Sequence, residues 1–274
     1  MEGMTQMSVR AFSYGGGVQS TACLALAVAG TIDYKTFLFA NVGADSEHPD
    51  TLDYVYQHAM PYAKANGIDL IEVRKIRRDS GKPETILERL ERLGSSIPLP
   101  VRMEINGAPG NRTCTVDYKI KPIAKWFREH GATADDPGIA GIGISLDEAQ
   151  RAKPCGQSGI TYQRLEYPLL DLGLNRSNCV AIIERAGLPV PPKSACFFCP
   201  FHTRKNWEHL KATRPDLFDK ACLVEGIINR RGQKLGRGEF WLTAYGKPLA
   251  EAIGKFQPEL PFEYPLCESG HCFV

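Results

Sequence analysis

Short apolar runs bounded by polar, glycine-bearing turns recur along the first two thirds of the chain, at 9–12, 36–42, 68–73 and 139–145. Their length and their flanking Gly, Asn, Asp and Pro residues predict strands. In the last run, Gly alternates with Ile, which predicts a strand packed closely against a neighbour. Helix patterns lie between the strands. One runs through 22–28, another from about Glu84 to Leu93, and another from Asn175 or Ser177, either of which can cap it, to Gly187. The segment 112–123 leads into a helix ending near Gly131, with Pro122 expected in its first turn. Cys179, with Val180, Ile182 and Ile183 beside it, reads as a core thiol. Residues 95–112, rich in Gly and Pro, read as a long loop, and 203–237 as helical and basic.

Chemistry concentrates where the strands end. After the first comes Ser13-Tyr14-Gly15-Gly16-Gly17-Val18-Gln19-Ser20-Thr21. Three glycines let the backbone approach an anion, and Ser20 and Thr21 add hydroxyls at a helix N-terminus whose amides favour negative charge. The alternative is a plain tight turn. The loop has neither the Lys of a Walker A sequence nor the spacing of a dinucleotide fingerprint. Beyond the second strand, Asp45, Glu47 and His48 are candidates for holding a metal or a ribose, or else form a solvated turn capping a helix that begins near Pro49. Beyond the 139–145 strand, Asp147, Glu148 and Arg151 are candidate catalytic groups, with a capped helix start as the other reading. In a parallel α/β sheet all these positions fall on the side where ligands bind.

Cysteine spacing gives a second signal. Cys196-Phe-Phe-Cys199 brings two thiols onto one turn, and Cys114 can supply a third if the fold delivers it. His202 completes a three-Cys, one-His set suited to zinc. The basic residues between Arg204 and Arg237, with Trp207 among them, either guide a polyanion such as nucleic acid or form ordinary solvated helix faces.

Composition narrows the setting. The 274 residues suffice for one large domain, or one domain and an appendage. Apolar content of 43% and charged content of 23% are those of a globular protein, and no apolar run approaches the roughly 20 residues that span a bilayer. A net charge of +2 gives no global drive toward nucleic acid. No basic segment followed by an apolar one opens the chain, so a cytoplasmic location is expected, where nine cysteines favour metal, redox or core roles over a disulfide framework.

The glycine loop, the second-strand turn with Pro49-Asp50-Thr51, Cys114 followed by Lys119 and Pro122, the acidic strand end and the Cys-x-x-Cys together resemble the PP-loop ATP pyrophosphatase superfamily, in particular its phosphoadenosine phosphosulfate (PAPS) reductase-like members. Gln19 stands where many members carry Asp. The resemblance implies a doubly wound, mainly parallel α/β domain of the adenine nucleotide alpha hydrolase type over 1–190, with a cysteine-bearing helical C-terminal extension over 191–274. It implies an adenine nucleotide, ATP, bound by Ser13, Gly15, Gly16, Gly17, Gln19, Ser20, Thr21 and Asp45, with magnesium as a companion ion. It also implies a 4Fe-4S cluster on Cys114, Cys196 and Cys199, with His202, a C-terminal cysteine or an external molecule as fourth ligand. The implied reaction is adenylation of a substrate oxygen followed by sulfur transfer, with a nucleic acid as candidate acceptor. Two rivals stand beside it. One is reduction of PAPS or adenylyl sulfate by a tail thiol, Cys267 or Cys272, and the other a non-enzymatic nucleotide- and metal-binding protein.

Overall fold

The structure, a computed structural model, describes residues 8–92, 94, 96–104, 107–153 and 159–254. Cys155, Cys267 and Cys272 lie outside the described residues.

Five parallel strands form the central sheet, in the order Asp69–Val73, Thr36–Ala40, Arg10–Tyr14, Gly138–Ile142, Gln163–Glu166. The period-2 alternation of strand side chains sorts the sequence between two faces. Phe12, Tyr14, Phe37 and Phe39 pack on one face with Ala22, Cys23, Leu24, Cys179 and Ile183 from helices Val18–Val28 and Arg176–Arg185. Ala11, Leu38, Ala40 and Ala140 point the other way, onto Ile123 and Phe127 of helix Lys121–Glu129. With helices on both faces, this is a doubly wound α/β fold. Cys179 is fully buried in the first face, as the sequence predicts.

Register explains the glycine alternation. Gly141 stands opposite Phe12, and a Cβ there would lie 2.5 Å from Phe12 Cδ2 and 2.8 Å from Tyr34 Cζ. Strand order reverses at the central pair. The first three strands step outward from Arg10–Tyr14, and the chain then returns to its other side with Gly138–Ile142. The crevice outside the carboxyl ends of those two strands is where open α/β sheets bind ligands.

Several elements differ from expectation. The helix expected to start near Pro122 begins at Thr113 and continues through a π turn, Val116–Ile120, into Lys121–Glu129. Pro122 has no amide to donate and its ring crowds the carbonyl four residues back; the wider turn, closed by Lys121 N–H onto Val116 O, relieves both demands. Pro61 is treated in the same way by the π turn Val55–Ala59. Gln163–Glu166, a strand the pattern did not predict, forms the sheet edge, where Glu166 meets Arg10 Nη2 at 2.8 Å and Tyr34 Oη at 2.7 Å. Within the loop expected over 95–112, Arg102–Met103 pairs antiparallel with Phe240–Trp241.

The basic region folds as two helices, Arg204–Thr213 and Pro215–Lys234. Their apolar faces share a core with Ile86, Val101 and Tyr118, so the C-terminal helices are packed onto the α/β unit. Glu225, buried within this region, accepts from the amides of Leu242 at 2.8 Å and Leu249 at 2.7 Å, tying the long helix to the segment that follows it. No helix among the described residues is long and apolar enough to cross a membrane.

Candidate functional site

The first strand ends at Tyr14, and the chain turns through Gly15, Gly16 and Gly17 into helix Val18–Val28. Gly16 adopts φ +74, a left-handed conformation that side chains disfavour. Gly17 is the N-cap, and Ser20 closes the turn behind it: its hydroxyl donates to Gly17 O at 3.0 Å and accepts from Gly17 N at 3.2 Å. The first intrahelical bond is Thr21 N to Gly17 O, so the amides of Val18, Gln19 and Ser20 have no carbonyl within the helix to bond. No acidic side chain stands in this first turn to satisfy the positive end of the helix.

Gly143, just past the neighbouring strand, lies so close that a Cβ on it would be 3.2 Å from Ser20 N. Between the two strand ends opens a cleft lined by Ser13, Gly15 and Gly17–Ser20 on one side and Ile142–Ile144 on the other. Ser13, only 4% exposed, presents its hydroxyl here with no hydrogen-bond partner among the described residues. A buried, unsatisfied hydroxyl costs free energy, and a ligand oxygen would satisfy it.

The cleft carries cations. Arg151, at the end of the 3-10 helix Leu146–Arg151, forms an ion pair with Glu148, both side chains being under a tenth exposed. Glu148 Oε1 accepts from Gln19 Nε2 at 3.3 Å, and Gln19 Oε1 in turn accepts from Arg176 Nη1 at 3.3 Å. Burial pushes the Glu148 carboxyl above its usual value by more than the Arg151 charge lowers it. Pro192, Lys193 and Ser194 complete the rim, with Ser194 Oγ packed 3.1 Å from where a Gly17 Cβ would sit.

The fold brings Ser13, Gly15, Gly17, Gln19, Ser20, Glu148 and Arg151 together, with Gly16 shaping the turn between them. It turns four other candidates elsewhere. Thr21 Oγ1 pairs with Tyr14 Oη at 3.0 Å in the core. Asp147, on the acidic strand end, accepts from the Arg176 amide at 2.6 Å, acting as a cap at the start of helix Arg176–Arg185. Asp45 accepts from Ser46 Oγ and Thr85 Oγ1, each at 2.8 Å, and so ties the second-strand turn to helix Ile86–Glu91. His48 caps the short helix Pro49–Tyr54, its Nδ1 accepting from Asp50 N at 3.3 Å.

The Cys-x-x-Cys segment is a tight turn, with Cys199 N donating to Cys196 O at 3.1 Å and His202 N to Cys199 O at 3.0 Å. It is pinned to the second-strand turn by an antiparallel bridge between Glu47 and Cys196, by His48 N to Ala195 O at 3.2 Å and by Phe197 N to Ser46 O at 3.3 Å. Glu47 therefore lies with the thiols, 3% exposed, its Oε1 without a partner among the described residues. Burial raises the Cys196 thiol well above its usual value, and the nearby Glu47 charge raises it further; Lys119 opposes them, and Cys199 and Cys114 also act on it. The three predicted thiols share one neighbourhood. His202 donates from Nε2 to Cys196 O at 3.0 Å, and burial pushes its pKa down to about 4, so the ring is neutral. As a metal site the donor set is chemically suitable but does not converge: among the described residues no group of three or more His, Cys, Asp or Glu is arranged to hold an ion.

Arg176, Lys193, Ser194 and Gly143 were not expected at the cleft. Arg176 carried a signal, since a cation in the first turn of a helix opposes the helix dipole and calls for a reason. Of the basic residues after Thr203, Arg231 turns inward to the carbonyls of Arg89, Leu90 and Gly94, Arg204 pairs with Glu208, and Arg214 pairs with Asp216 and Asp50.

No family model matches the chain, and no curated protein matches it. Solved structures similar to this chain include two. One is the phosphoadenylyl-sulfate (PAPS) reductase from Candida auris in its phosphate complex, at 14% identity over 68% of this chain and 76% of that one, with a TM-score of 0.45. The other is the U34-tRNA thiolase NcsA from Methanococcus maripaludis with its 4Fe-4S cluster, at 13% identity over 85% of this chain and 73% of that one, with a TM-score of 0.43.

Proposed function

We propose that this protein is an ATP-binding enzyme that adenylates a substrate oxygen, releases pyrophosphate and supports sulfur transfer. The observation that carries the reading is the buried Ser13 hydroxyl, lacking a partner among the described residues, beside the amide-rich start of helix Val18–Val28. In this reading the loop amides and Ser13 hold phosphate oxygens, while Arg151, Arg176 and Lys193 offset their charge. The substrate oxygen attacks the α-phosphorus, the α–β anhydride bond breaks, and pyrophosphate leaves with the bonding electron pair. A sulfur nucleophile then attacks the carbon bearing that oxygen, and AMP leaves with the electrons of the carbon–oxygen bond. The acceptor we assign is a nucleic acid, and the thiols Cys114, Cys196 and Cys199 are the groups we assign to the sulfur half of the reaction.

Calorimetry with ATP tests the first half. Wild type should bind, and Ser13→Ala should bind about tenfold or more weakly, the loss expected for one hydrogen bond to a charged group. Wild-type protein that binds neither ATP nor pyrophosphate would sink the reading. Sulfite formed from PAPS with a thiol reductant, without pyrophosphate release from ATP, would replace it by the reductase. Metal analysis of anaerobically purified protein tests what the thiols carry: iron that is lost on Cys114→Ser, Cys196→Ser or Cys199→Ser would assign them a cluster, and zinc alone would assign them a structural site.

A further inference from the structure

The cleft holds one feature that an anion site does not need: a carboxylate. Glu148 lines it, is 5% exposed, and is held from two sides by the Arg151 guanidinium and Gln19 Nε2. Gln19 passes the contact on to Arg176, so one wall reads as cation, carboxylate, amide, cation. Asp147, the adjacent acid in the chain, is engaged by the Arg176 amide and the Ser145 hydroxyl.

We infer that Glu148 is a resident counter-anion that shares Arg151 with an incoming anionic ligand, and so sets how strongly the cleft binds anions. The inference rests on the anion-site reading given above. A phosphate entering beside Arg151 meets a cation already neutralised and a negative charge already in place. The ligand must share Arg151 with Glu148, and repulsion between the two anions weakens binding. The same carboxylate keeps Arg151 and Gln19 in position in the empty cleft, which makes Glu148 a positioning residue whose charge opposes the ligand.

Removing that charge while keeping the shape should strengthen binding. The probe is inorganic pyrophosphate in chelator, free of divalent cations, followed by calorimetry on wild type, Glu148→Gln, Arg151→Gln and the double variant. Glu148→Gln should bind about tenfold or more tightly, as expected for losing a like charge a few ångströms away at an effective dielectric of about 20. Arg151→Gln should bind about tenfold or more weakly. The double variant should bind no more weakly than Arg151→Gln and more weakly than Glu148→Gln, because it lacks both the cation and the opposing charge. A residue with a purely structural role would loosen the cleft, and a magnesium ligand would have no effect in chelator; weaker or unchanged binding by Glu148→Gln overturns the inference. Should Glu148→Gln fold poorly without ligand, its thermal stabilisation by saturating pyrophosphate, compared with that of wild type, gives the same comparison. Absence of binding in wild type and Glu148→Gln alike removes the anion-site reading and the inference with it, whereas wild-type binding with no gain removes the inference alone.

Discussion

Replacing Arg151 by Met keeps much of the side chain's volume and removes its charge, leaving Glu148 buried without its cation. The structure bounds the cost. Both side chains are under a tenth exposed, so solvent does little to rescue the carboxylate. Glu148 can instead take up a proton, and the most this can cost at pH 7 is the work of protonating a carboxyl whose reference value is 4.5, about 3.5 kcal/mol at about 1.4 kcal/mol per pH unit. Wild type already carries part of this, because burial raises Glu148 even with Arg151 present. The expected loss at pH 7 is therefore about 2–3 kcal/mol, or about 4–12 °C in Tm for a chain of this size. Its pH dependence follows from the direction of the shift. The folded-state pKa of Glu148 rises further in the variant, so stability is retained below the unfolded value of 4.5 and lost as pH rises toward the folded one. Thermal melts of Arg151→Met and wild type at pH 5 and pH 7 should differ by under about 1 kcal/mol at the lower pH and by the full amount at the higher. Glu148→Gln combined with Arg151→Met should recover most of the loss. Equal losses at both pH values would show that packing, and not an unpaired charge, carries the effect, and no loss at pH 7 would refute the buried pair.

Two predictions concern neighbouring features. Gly143→Ala places a methyl 3.2 Å from Ser20 N, so ATP affinity should fall about tenfold while Tm falls by no more than a few degrees; unchanged affinity by calorimetry would place the ligand away from that amide. Glu225→Ala strips the acceptors from two buried amides, at about 1–3 kcal/mol each, so the urea midpoint should drop by about 2–6 kcal/mol divided by an unchanged m-value; a drop under about 1 kcal/mol would mean those amides find other partners.

How much of this was legible in the sequence depended on the range of the interactions involved. The glycine loop was legible because strand, turn and helix are set locally, and three glycines mark a backbone that side chains would obstruct. Cys179 was legible from the apolar residues around it. Pro122 misled because a widened turn removes the conflict that normally ends a helix at proline, and nothing local announces that turn. Strand Gln163–Glu166 carries little local signal beyond Leu165; its pairing with Gly138–Gly141 and the ion pair of Glu166 with Arg10 come from residues far away in the chain. Thr21 and Asp45 have the right chemistry beside the loop, but which partner a hydroxyl or carboxylate takes is decided by side-chain direction, and both turned to protein partners.

The cleft and the thiol turn are also joined by covalent chain. Lys193 and Ser194 form part of the cleft rim, and just beyond them Cys196 is bridged to Glu47 on the second-strand turn. Tyr54 holds the beginning of this strap, donating to Pro189 O at 2.7 Å. At the other end, backbone bonds through Ala195 and Phe197 fix it against His48 and Ser46. A strap anchored at both ends has little freedom to shift Ser194 without also loading the turn that carries Cys196. The close approach of Gly17 to Ser194 is the point at which the glycine loop and that segment meet.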